Sequence, residues 1–128
     1  MSDISDSAVI AALRRQMTVA VARQVAAAGN LANVDTPGFK AREISFDETL
    51  AEQSGTLAAT RPGHIGTPNT AAGIVMREAP GAPRRDGNTV QLDRELLTMG
   101  KAAGDFSAAQ TALAAKFRLV RYAINEGR

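Results

Sequence analysis

The chain has no cysteine, no tryptophan, one histidine, one tyrosine and four phenylalanines in 128 residues. Without cysteine there is no disulfide framework, no thiolate metal site and no Cys nucleophile. The lone histidine, His64 in Pro-Gly-His-Ile-Gly, has no second His and no Cys with which to complete a metal set or a nucleophile–base pair. It reads as a structural residue. Charge of one sign is also scarce: 15 basic residues stand against 13 acidic ones, leaving a formal charge of +2, and like charges never gather into a long run. That removes the usual footprint of nucleic-acid or anionic-membrane binding. No apolar run reaches the ~18 residues a membrane span needs. The opening Met-Ser-Asp-Ile-Ser-Asp carries acid where a secretory signal carries base, so no general secretory leader is expected. No glycine-rich phosphate loop follows a strand pattern. The pairs Asp47 with Glu48 and Asp93 with Glu95 sit in loop or helix-start contexts, where solvation and the helix dipole account for them. No catalysis, cofactor, metal, nucleic-acid partner or small-molecule substrate is expected.

What the chain does have is helical period at both ends and none between. From about residue 5 to 33, Ile10, Leu13, Met17, Val21, Val25, Ala28 and Ala32 recur at three- and four-residue steps, with Arg14, Arg15, Arg23 and Gln24 mostly outside that stripe. Asp3, Ser5 and Asp6 stand where side-chain oxygens cap free N–H groups and meet the positive end of the dipole. The many alanines favour helix and keep its surface slim, so a partner helix can approach closely. Toward the other end, Leu92, Leu96, Met99, Ala103, Phe106, Gln110, Leu113, Phe117, Val120 and Ile124 alternate steps of four and three, which is a heptad seam. Asn88 with Gln91 offers a capping-box-like start for a helix running to about residue 125. Gly100 and Gly104 weaken that helix by roughly 1 kcal/mol each relative to Ala, and they leave one face bare. Phe117 and Tyr122 read as packing residues, given the lack of a basic groove.

Between these ends, glycines and prolines such as Gly55, Pro62, Gly63, Gly66, Pro68, Pro80 and Pro83 interrupt any period. Two short pieces have strand character: residues 41–46, where Ile44 and Phe46 alternate with polar neighbours, and Ile74-Val75-Met76. The expected architecture is mainly α and elongated. Long N- and C-terminal helices pack as an antiparallel coiled coil around an irregular Gly/Pro-rich middle that holds short β-strands. Three zones make one domain: residues 1–36, 37–87 and 88–128. Two narrow apolar stripes cannot both be covered by one helix pair, so burial is expected to be completed between subunits.

The junction between the first helix and the middle is the most distinctive string. Asn30, Leu31, Ala32, Asn33, Val34, Asp35, Thr36, Pro37, Gly38, Phe39 and Lys40 end an alanine-rich helix in a sharp turn. Pro37 disfavours helical geometry at Thr36, Gly38 takes positive φ freely, and the asparagine amides can bond the last free carbonyls. Taken alone, this is an ordinary helix stop. The string nevertheless resembles, almost without a break, the N-terminal signature of the bacterial flagellar rod and hook proteins. Residues 41–46, Ala-Arg-Glu-Ile-Ser-Phe, are similar to its continuation in proximal rod subunits. Residues 86–95 resemble the start of that family's C-terminal helix, residues 116–121 resemble its end, and residues 60–65 around His64 give a weaker third match. Members often carry Asn-Gln before the aromatic of that helix, where this chain has Ala102 and Ala103 ahead of Phe106.

The resemblance implies a structural subunit of the flagellar basal-body rod. Its terminal helices would assemble with further copies, with neighbouring rod proteins and with the ring-to-rod adaptor into a helical tube that transmits motor torque. It also implies synthesis in the cytoplasm and unfolded export to the periplasm through the flagellar type III apparatus, without a cleaved signal. Phe46 and Leu50 resemble the short aromatic-x-x-x-aliphatic element offered to the export gate. Another rod subunit of the same family, or an unrelated cytoplasmic coiled-coil adaptor, would account for parts of the pattern.

Overall fold

The computed structural model describes residues 6–46 and 73–125. Leu50, His64 and the Gly/Pro-rich stretch around them, together with the expected caps Asp3 and Ser5, lie outside the described residues. Four elements follow in order: helix α1 (Asp6–Ala32), strand β1 (Arg42–Phe46), strand β2 (Ile74–Glu78) and helix α2 (Leu92–Asn125). The chain is therefore mainly helical with one small sheet. α1 has 27 residues and α2 has 34, about 40 and 51 Å of helix.

The two helices run antiparallel. Asp6 meets Lys116 at 2.6 Å, Arg23 meets Asp105 at 4.0 Å, and Asn30 meets Glu95 at 3.0 Å, so the partner falls toward the start of α2 as α1 advances. Small side chains fill the space between them. Val19, Ala20 and Ala27 of α1 are buried, as are Ala102 and Ala109 of α2. The heptad pattern divides: Met99, Phe106 and Leu113 are half-buried in helical step with Ala102 and Ala109, while Leu92, Leu96, Ala103, Gln110, Phe117, Val120 and Ile124 are exposed. On α1 the stripe begins half-buried at Ile10, Leu13 and Met17 and drifts to exposure at Val21, Val25, Ala28 and Ala32.

α2 begins four residues later than the capping-box pattern implied. The Glu95 N–H bonds the carbonyl of Gln91 at 3.0 Å, which makes Gln91 the flanking residue of the first turn. Asn88 does not start the helix, because its side chain is committed elsewhere. Asp93 and Glu95 place acid in the first turn, where the dipole favours it. Gly100 and Gly104 do not break α2, and a Cβ at either would meet only open space.

Both short apolar pieces form strands, paired antiparallel with Arg42 opposite Glu78, Ile44 opposite Met76 and Phe46 opposite Ile74. Cross-strand neighbours of opposite charge, Arg42 with Glu78 and Glu43 with Arg77, favour this register. The only cluster of buried apolar residues described sits beside the sheet: Ala41, Ala79 and Val90, with Val34 and Phe39 against them. It is too small to hold the chain alone, which shifts the task to polar contacts around it.

Candidate functional site

Those polar contacts converge on the turn after α1. The helix closes by tightening. Asn33 N–H bonds Asn30 O at 3.1 Å, Val34 N–H bonds Leu31 O at 3.2 Å and Thr36 N–H bonds Asn33 O at 3.0 Å, all three residues apart. The Asn33 amide reaches back to Gly29 O at 2.8 Å, and the Thr36 hydroxyl bonds Asn33 Oδ1 at 3.2 Å. Asn33 thus serves the helix end as its sequence context implied. Pro37 is exposed, and Gly38 adopts φ +71°, the left-handed value its position called for.

Asn30 does something different. It is buried, and its amide pairs with the backbone of Arg42 in both directions: Nδ2 donates to Arg42 O at 2.7 Å and Oδ1 accepts from Arg42 N–H at 2.9 Å. The side chain replaces a strand neighbour for the first residue of β1. The same Nδ2 donates to Glu95 Oε2 at 3.0 Å, so one asparagine joins α1, β1 and α2. Nearby, Arg94 donates to Glu43 Oε2 at 3.1 Å and to Pro80 O at 2.7 Å, tying α2 to β1 and to the segment after β2.

From the other side, residues 84–90 fold over the turn. Asn88 has no exposed surface, and its Nδ2 donates to Asn33 O at 2.9 Å, Val34 O at 3.1 Å and Thr36 O at 2.8 Å. Its Oδ1 accepts from Val90 N–H at 2.7 Å. The Arg84 guanidinium also donates to Val34 O. Backbone bonds complete the overlay, with Gly38 N–H on Asp86 O at 2.8 Å and Thr89 N–H on Phe39 O at 3.0 Å. Ala41 N–H reaches the Thr89 hydroxyl at 2.8 Å. Gly87, at φ +80°, lies against Gly38, and a Cβ added to it would stand 3.4 Å from Gly38 Cα.

The arrangement is a lock between the two ends of the chain. Asn30, Leu31, Asn33, Thr36, Gly38 and Phe39 are brought into it, while Ala32 and Pro37 stay at its surface. Sequence reasoning missed Asn88 as its centre, along with Glu95, Thr89 and Arg84. The sequence marked Asn88 only as a capping candidate within the block 86–95, with nothing to show that it reaches back to the turn after α1. Phe46 is half-buried, with the Arg15 guanidinium 5.4 Å from its ring centre. Between α1, β1 and α2 runs a groove whose charged lining mixes both signs, with Arg23, Arg42, Arg94 and Lys101 beside Glu43, Glu95 and Asp105. No group of acidic or histidine side chains among the described residues could hold a metal ion. No helix among them is long and apolar enough to cross a membrane.

A chain whose polar chemistry is spent on locking two long terminal helices together, and whose large apolar side chains face outward, is built as a structural subunit. No protein-family model matches it. It is 32% identical over 133 residues to the flagellar basal body rod protein FlgB of Escherichia coli K12, an alignment covering 91% of this chain and 95% of that one. Over 99 residues it is 36% identical to the FlgB of Salmonella typhimurium, covering 66% and 72%. With the FlgB of Aeromonas hydrophila the identity is 42% over 71 residues, about half of each chain at 52% and 54%. The chain belongs to the FlgB family of flagellar basal body rod proteins, as a structural subunit of the basal-body rod and not an enzyme.

Proposed function

We propose that the outward faces of the helix pair are the surfaces through which this subunit meets further copies of itself and neighbouring rod proteins, building the tube that transmits motor torque. One observation carries the reading. Leu92 is 51% exposed, Leu96 54%, Phe117 54% and Ile124 69%, whereas the contact between the helices is filled by alanine. Burying a Leu, Ile or Phe side chain is worth about 1.5–3 kcal/mol, so these four at half exposure leave on the order of 4 kcal/mol to be gained in an assembly. Val21 on α1 and Val120 on α2 extend the same surfaces, and the half-buried Ile10, Leu13 and Met17, with Met99, Phe106 and Leu113, would have their remaining exposure covered in the same assembly. Seven-residue spacing would let the helices pack as coiled coils within and between subunits.

The subunit would occupy the proximal rod in the periplasm, beside the ring-to-rod adaptor, after unfolded passage through the flagellar type III export apparatus. Unfolded passage fits the seating of Phe46, which is half-buried beneath Arg15 and would be freer to meet the export gate in an unfolded chain. Phe46→Ala is expected to lower secretion; unchanged secretion removes the element. Electron microscopy of basal bodies carrying a small tag between residues 55 and 66, with motility of the deletion strain, tests the whole proposal. Label on the proximal rod and lost motility support it, and a soluble tagged protein with normal flagella refutes it.

A further inference from the structure

We infer that Asn88 is a latch which makes the turn after α1, and hence the fixed pairing of the two helices, conditional on the arrival of residues 84–90. The turn is not self-sufficient. Within it, backbone bonds three residues apart use the N–H groups of Asn33, Val34, Thr36 and Phe39, while the Gly38 N–H finds its acceptor only at Asp86 O. Val34 O receives its hydrogen bonds from Arg84 and Asn88. The Asn88 amide gathers three carbonyls 52 to 55 positions earlier in the chain. Because its other atom accepts from Val90, the same residue shapes the approach to α2.

The two glycines add a backbone condition. Gly38 and Gly87 both hold positive φ, and the two turns lie in contact, with a Cβ on Gly87 standing 3.4 Å from Gly38 Cα. Closing a loop of this length carries an entropy cost that one contact cannot offset, so the bonds form together or not at all. A chain lacking a docked 84–90 segment therefore leaves the carbonyls of Asn33, Val34 and Thr36 and the Gly38 N–H without their partners, and the Asn30 contacts alone must hold the end of α1 against α2. On the assembly reading proposed above, such a chain presents no usable surface to its neighbours, and a partly emerged subunit cannot join the structure prematurely.

Pulse-labelled hydrogen exchange during refolding of the intact chain tests the latch without any substitution. Protection of Gly38, Ala41 and Arg42 is expected to appear with the same time constant as that of Thr89 and Val90. Protection at residues 33–42 that precedes it overturns the inference. In the folded chain, Asn88→Ala is expected to speed exchange at Gly38 and Arg42 by about tenfold or more. Asn88→Asp keeps the acceptor for Val90 but removes the donor, and should do the same; exchange within twofold of the parent chain in both variants refutes the latch. These readings concern the single subunit, so they stand or fall separately from motility, which reports on the assembly surface.

Discussion

Asn30→Ala removes an amide that is 2% exposed and makes three hydrogen bonds, two with the Arg42 backbone and one with a Glu95 carboxylate that is itself 5% exposed. A neutral hydrogen bond contributes about 1 kcal/mol net and one to a charged group about 1.5–3 kcal/mol. Water entering the vacated space restores part of this, leaving a loss of about 3 kcal/mol. At about 4 °C per kcal/mol for a chain of this size, the melting temperature should fall by roughly 12 °C. The assay is thermal and urea unfolding followed by helical circular dichroism. Combining Asn30→Ala with Glu95→Ala should cost at least about 1 kcal/mol less than the sum of the two, because each removes the same bond. Asn30→Asp should be worse than Asn30→Ala, since it sets a second carboxylate beside Glu95 in a buried place. A loss below about 1 kcal/mol for Asn30→Ala, or strict additivity with Glu95→Ala, refutes the lock.

Gly38→Ala and Gly87→Ala should each destabilise by about 1 kcal/mol through positive φ, since an added Cβ at either meets no more than ordinary contact; melting temperatures unchanged from the parent would contradict this. Leu96→Asp with Phe117→Asp should leave the melt of the single subunit within about 1 kcal/mol of the parent, since both side chains are exposed, yet abolish swimming; retained motility would exclude this face from assembly. Gly100→Ala and Gly104→Ala should each stabilise α2 by up to about 1 kcal/mol in the free chain, where nothing opposes a Cβ. Motility assays of the two then read whether a neighbour packs closely there.

The helices, the turn and both strands were legible because each rests on local chemistry. Alanine and period make α1 and α2, Pro37 and Gly38 make the turn, and alternation at Ile44 and Phe46 makes β1. The side of α2 that meets α1 was not legible. Periodicity weighs large apolar residues most, and Leu92, Leu96, Phe117, Val120 and Ile124 are exposed, while the inner face sets Glu95, Ala102 and Ala109 between the half-buried Met99, Phe106 and Leu113. The heptad pattern therefore straddles the inner face and the exposed one, and the small and acidic residues that mark the contact carry no weight in it. The lock itself stayed hidden for a different reason: Asn30 and Glu95 are 65 positions apart, and Asn88 lies 52 or more from the carbonyls it serves. No local pattern encodes pairings at that distance.

Alanine against alanine has a further consequence. The two buried alanines of α1, Ala20 and Ala27, are seven positions apart, as are Ala102 and Ala109 on α2. Sliding one helix along the other by two turns would still set one alanine against another, so the alanines by themselves mark the register weakly. Asn30 breaks that degeneracy, because its amide fits only where Arg42 and Glu95 stand. It acts as a key in a keyway, giving an otherwise slippery shaft a single zero mark under twisting load.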